Sequence, residues 1–132
     1  MGNSSDARRE STLAGRRVLI VEDDALLLLD LEGVLRQAGA HSVRACCTIE
    51  EALRWSEIEG FDAAIIDVRI GTDSIAPIAR QLVARGIPFL FYTGQPRNDR
   101  IMAECLNCQI VSKPAQSDVI VNTLTGLLKV RQ

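Results

Sequence analysis

The sequence predicts an α/β fold in which a parallel sheet is doubly wound, with helices on both of its faces. Three observations carry this prediction. Five short apolar runs alternate with segments of helical period, three of the runs are apolar without interruption, and the connections between elements are a few residues long. Uninterrupted apolar strands belong in a sheet covered on both sides, which in turn implies parallel strands with helical crossovers. At 132 residues the chain has room for one domain with one ordinary core.

The elements follow in order. The first 15 residues, MGNSSDARRESTLAG, are polar, small and non-periodic, and they are expected to form a disordered tail ahead of a domain spanning residues 16–130. RRVLIV (16–21) reads as the first strand. In residues 25–38, Leu27, Leu31, Val34, Leu35 and Ala38 recur at spacings of three and four, which makes one helical core stripe, and Gly39 stops it. Leu26, Leu28 and Leu29 add apolar positions beyond that stripe, and two readings stand side by side: surface leucines that would meet a kinase helix or a second copy of this chain, or a wide core-facing helix with some tolerated exposure.

HSVRAC (41–46) is the second strand, and Thr48 with Glu51 offers a capping box for a helix over 48–57 that carries Ala52, Leu53 and Trp55. DAAII (62–66) is the third strand. A helix over 72–85 opens at Asp73 or Ser74, tolerates Pro77 in its first turn and ends at Gly86. IPFLFY (87–92) is the fourth strand, a weakly patterned helix is expected over 97–106, and CQIVS (108–112) is the fifth strand. The last helix, 117–130, places Ile120, Leu124, Leu127 and Leu128 on one side.

Composition removes several function classes. A net charge of -2 and a pI near 5.4 leave no basic footprint for DNA. The apolar runs are far shorter than the roughly 20 residues of a membrane helix, and the polar start lacks the apolar core of a secretory signal, so a cytoplasmic location is expected. Cys46, Cys47, Cys105 and Cys108 are then expected to stay reduced. Cys105 and Cys108 have CxxC spacing, which can mean redox or metal chemistry, but one such pair is half of a typical zinc site, and thiols that simply fill core or helix positions are the favoured reading.

In a sheet of this class the functional crevice lies beyond the carboxyl ends of the strands. There the sequence sets Glu22, Asp23 and Asp24 after the first strand, Asp67 at the end of the third, Thr93 and Gly94 after the fourth, and Lys113 and Pro114 after the fifth. Carboxylates gathered this closely repel, and a hard divalent cation with oxygen ligands, Mg²⁺ or Mn²⁺, relieves the repulsion. A lysine opposite balances the remaining charge or binds an added phosphoryl group, and a carboxylate is itself a covalent phosphate acceptor. The competing reading for the three consecutive acids is helix capping, and Asp24 fits it best because a helix begins at Ala25.

Together VLIVEDD, AAIIDV, FYTG and VSKP resemble the four blocks of the receiver domain of bacterial two-component response regulators. The resemblance implies a flavodoxin-like (βα)5 fold with strand order 2-1-3-4-5. It implies that Asp67 accepts a phosphoryl group from a histidine kinase or a histidine phosphotransfer protein. Glu22, Asp23, Asp67 and the backbone carbonyl of Arg69 match the family's metal ligands, with Asp23 direct and Glu22 acting through water. Thr93 and Lys113 match its phosphoryl-binding pair, and Pro114 matches its cis proline.

The chain also departs from the family pattern. Ile110 stands where the family usually has an aromatic that rotates on activation, and Arg69 places a long cation two residues after the acceptor. FYTGQP partly matches a Phe-Ala-Thr-Gly-x-Tyr block of an alphaproteobacterial subgroup, with Tyr92 in place of the alanine and Pro96 in place of the last tyrosine. With 18 residues after Pro114, no output domain is expected, so signalling is expected through protein contacts or by acting as a phosphate sink. Beyond its own phosphorylation and dephosphorylation no enzymatic turnover is expected. Two other classes remain: a pseudo-receiver that binds partners without phosphorylation, and a haloacid-dehalogenase-like phosphatase, which lacks its second aspartate because Arg69 occupies that position.

Overall fold

The computed structural model describes residues 13–70, 74–94 and 109–131. Its elements run β1 (Arg17–Val21), α1 (Ala25–Gln37), β2 (Ser42–Cys46), α2 (Ile49–Ile58), β3 (Ala63–Ile66), α3 (Ala76–Ala84), β4 (Phe89–Thr93), β5 (Gln109–Ser112) and α4 (Ser117–Arg131). The helix expected over 97–106 lies outside the described residues, as do Cys105, Cys108 and Pro96.

The five strands form one parallel sheet in the order β2-β1-β3-β4-β5. β1, β3 and β4 are the interior strands, and the uninterrupted apolar runs belong to them because both of their faces are covered. Alternation along β1 divides the core. Leu19 and Val21 face α2 and α3, whereas Val18 and Ile20 face α1 and α4. Phe89 and Phe91 of β4 join the first group with their rings edge to face, and Leu90 and Tyr92 join the second.

Local chemistry sets the helix ends. Asp24 is extended and its Oδ1 accepts from the amides of Leu26 and Leu27, capping α1. At the other end Gly39, with φ of 96°, turns the chain out while the Ala40 amide donates to the Leu35 carbonyl. Thr48 caps α2 through the Glu51 amide, but Glu51 returns to the Cys47 amide and thiol rather than to Thr48, so the expected reciprocal box is only half formed. α3 has Ile75 at its N-cap with no side-chain cap; Ser74 instead accepts from the Ala76 amide, and Pro77 lies in the first turn.

One expectation is corrected, and one choice between two readings is decided. The tail boundary at residue 15 falls too late: Leu13 is fully buried, its amide donates to the Ala38 carbonyl, and Ala14 bridges Ala40. One large apolar residue in a polar stretch gives no periodic signal, and the Ala38 carbonyl that takes its amide lies far along the chain. Of the leucines beyond the α1 stripe, Leu28 packs against the core, as a wide core-facing helix requires, while Leu26 and Leu29 are exposed, at 80% and 67%.

Polar contacts join elements as well. Gln81 of α3 donates to the hydroxyl of the buried Ser56 and to the Leu53 carbonyl of α2. Arg44 of β2 lies 3.7 Å over the Trp55 ring and bonds Glu59 through Nε and Nη2. Among the described residues no helix is long and apolar enough to cross a membrane.

Candidate functional site

Backbone hydrogen bonds bring the strand ends level. The Glu22 amide donates to the Cys46 carbonyl at 2.9 Å, the Asp67 amide to Val21 at 2.9 Å, and the Lys113 amide to Thr93 at 2.8 Å. Each bond continues a parallel ladder beyond its last strand residue, so the side chains that follow the strands meet at one edge.

Glu22 is 1% exposed and Asp67 is 7% exposed, while Asp23 is open to solvent. One oxygen from each of these three carboxylates lies within 4.8 Å of the others. Lys113 reaches across to them, its Nζ donating to Glu22 Oε1 at 2.9 Å and to Asp67 Oδ2 at 3.2 Å. The second oxygens are also held: Glu22 Oε2 accepts from the Asp24 amide at 3.1 Å, and Asp67 Oδ1 from the Arg69 amide at 3.1 Å. Asp24 therefore does two things, capping α1 with its carboxylate and orienting Glu22 with its amide.

Burial dominates the electrostatics of Glu22. It pushes the carboxyl up from 4.5 to about 7, against the lowering by the Lys113 and Asp24 bonds and with a further rise from Asp67. For Lys113, burial works against the charge, but the bonds and charges of Glu22 and Asp67 outweigh it and hold the ammonium above its ordinary value. Lysine thus stays charged and supplies one positive charge to a site with three carboxylates. An all-oxygen donor set with surplus negative charge and one solvent-facing member fits a hard cation such as Mg²⁺, which keeps several waters.

Thr93 is 2% exposed at the end of β4. Ile110 is 41% exposed on β5, opposite Phe91 in the register. The Arg69 side chain is exposed while its amide holds Asp67. Tyr92 is buried, and its hydroxyl accepts from the Ala115 amide at 3.1 Å just beyond the cis Lys113–Pro114 bond. In the sequence Tyr92 stands out only as an unusual neighbour of Thr93; its tie to Ala115 spans 23 residues and has no local signal. Cys46 is buried, which pushes its thiol up to about 12, and so it is unreactive.

The family model of the response regulator receiver domain matches residues 18–125. The transcriptional regulatory protein PdtaR of Mycobacterium tuberculosis is 33% identical over 90 residues, which is 65% of this chain and 42% of PdtaR. The chain therefore spans less than half the length of that curated relative. Among solved structures, the receiver domain of sensor histidine kinase PA1611 from Pseudomonas aeruginosa, which has a magnesium ion coordinated in its active site cleft, aligns with a TM-score of 0.77 at 23% identity over 88% of this chain and 99% of that one. The response regulator PhyR from Brucella abortus aligns with a TM-score of 0.75 at 22% identity, over 96% of this chain and 53% of PhyR.

Proposed function

Because this chain belongs to the response regulator receiver domain family, we propose that it is a phosphorylation switch in which Asp67 accepts a phosphoryl group from the phosphohistidine of a histidine kinase or a histidine phosphotransfer protein. The observation that supports this most is the Lys113 ammonium bridging Glu22 and Asp67 beside Asp23. Glu22, Asp23, Asp67 and the Arg69 carbonyl are the groups that would hold Mg²⁺. Bound there, the cation offsets the repulsion between the carboxylates and an incoming phosphoryl group.

Asp67 then acts as the nucleophile. A carboxylate oxygen forms a bond to phosphorus as the phosphorus–nitrogen bond of phosphohistidine breaks, and the departing imidazole nitrogen keeps the electron pair and takes a proton. Lys113 exchanges the Asp67 oxygen for a phosphoryl oxygen, as a point charge on a flexible stem can. The Thr93 hydroxyl donates to another phosphoryl oxygen, and Gly94 leaves room for the donor. Hydrolysis reverses the charge: water adds to phosphorus, the acyl phosphate bond breaks, and inorganic phosphate leaves a free Asp67 carboxylate. Output passes to a partner protein.

Incubation with Mg²⁺ and phosphoramidate or acetyl phosphate, read by intact mass, tests the reading. A single labile phosphoryl adduct, absent in Asp67→Asn, is expected. No adduct from either donor or from a kinase would overturn it in favour of a pseudo-receiver.

A further inference from the structure

The usual receiver aromatic is replaced by Ile110, yet an aromatic does stand next to the site, on the other side of the sheet. Phe91 packs toward α2 and α3, and Thr93, two residues on, shares that direction; Tyr92 lies between them and packs toward α1 and α4 with Val111 and Leu124. A buried tyrosine hydroxyl needs a partner, and this one takes the Ala115 amide at 3.1 Å. Its ring centroid lies 5.5 Å from Lys113 Nζ, within the range of a cation–π contact. Lys113 is thus fixed by its amide on Thr93, by the ring beside its ammonium and by the tether two residues further along.

We propose that Tyr92 is a positioning residue for Lys113: its hydroxyl holds the segment after β5 and its ring guides the ammonium, so that Nζ points at Glu22 and Asp67. Thr93 follows Phe91 on the α2 and α3 side of the sheet and Lys113 follows Val111 on the α1 and α4 side, and Tyr92 serves the lysine side. The kinetic consequence rests on the phosphorylation reading above, whereas the geometric one does not.

The chain has two lysines, Lys113 and Lys129, and the exposed Lys129 gives an internal reference. In the full chain without Mg²⁺, acetylation by a limiting amount of acetic anhydride, read by peptide mass, is expected to show the Lys113:Lys129 ratio rising by about threefold in Tyr92→Phe, the change that loss of one neutral hydrogen bond allows. Exchange of the Ala115 amide should speed up relative to that of the Lys113 amide, which general loosening would not produce. The phosphorylation rate with phosphoramidate is expected to fall about fivefold. In a Lys113→Met background, Tyr92→Phe should change that rate by less than about twofold.

An unchanged labelling ratio, or the same fold loss in both backgrounds, overturns the proposal. If the parent protein takes no phosphoryl group, the phosphorylation reading fails, and labelling and exchange still decide the role of Tyr92.

Discussion

Replacing Lys113 by methionine keeps the apolar stem beside the Tyr92 ring but deletes the ammonium that bonds Glu22 at 2.9 Å and Asp67 at 3.2 Å. Exposed ion pairs contribute about 0–1 kcal/mol, whereas breaking a buried one costs about 3–5 kcal/mol. Here the side chains are 22% exposed for Lys113, 2% for Glu22 and 10% for Asp67, which is nearer the buried case. A loss of about 2–3 kcal/mol is expected near pH 8 without divalent cation. The loss depends on pH because Glu22 has an escape. Its folded pKa is raised from 4.5 to about 7, so across that interval the folded protein holds a proton that the unfolded chain has released, and stability falls as pH rises. Without Lys113 the same fall extends above about pH 7, and the gap between variant and parent widens from about pH 6 to pH 8. Excess Mg²⁺ should stabilise both proteins, and the variant by more, since the cation replaces the missing charge. Urea unfolding followed through Trp55, the single tryptophan, measures all of this. A variant as stable as the parent at pH 8, or a gap that shrinks with rising pH, would refute the charge balance drawn from the geometry.

Three further outcomes are expected. Cation binding must displace the proton from Glu22, so Mg²⁺ affinity measured by calorimetry should rise with pH up to about 7 and level off above; a flat profile would place Glu22 outside the ligand set. Arg69→Ala keeps the backbone amide that holds Asp67 and removes the exposed guanidinium two residues after it, so the acyl-phosphate half-life should change more than Mg²⁺ affinity does, and an unchanged half-life would count against it. Leu13→Ala should cost about 2–4 kcal/mol in urea unfolding, because Leu13 is fully buried against α1; a loss below about 0.5 kcal/mol would return Leu13 to the tail.

Features that arise from neighbours in the chain were legible in the sequence. Uninterrupted apolar runs marked β1, β3 and β4, the spacing of Leu31, Leu35 and Ala38 marked the buried side of α1, and Asp24 before Ala25 marked the cap. The meeting of Glu22, Asp23, Asp67 and Lys113 followed from the rule that strand ends share one edge, and it needed no contact prediction. What stayed hidden depends on long-range partners. Leu13 is buried by Ala38 and its surroundings, and the Tyr92 hydroxyl is taken up by the Ala115 amide. Glu51 illustrates a smaller gap: its capping motif was visible, but geometry gave it the Cys47 amide.

Among the described residues β2 ends the sheet on one side, and a strand in that position offers backbone groups to any other extended chain. Arg44 stands in the middle of this strand, pinned by Glu59 at 2.6 Å and stacked over Trp55. A charge held there by two partners does not swing aside to let another strand approach. The cluster that fastens β2 to α2 is therefore expected to guard the rim of the sheet as well, and its removal should show first as lost solubility of concentrated protein rather than as lost fold.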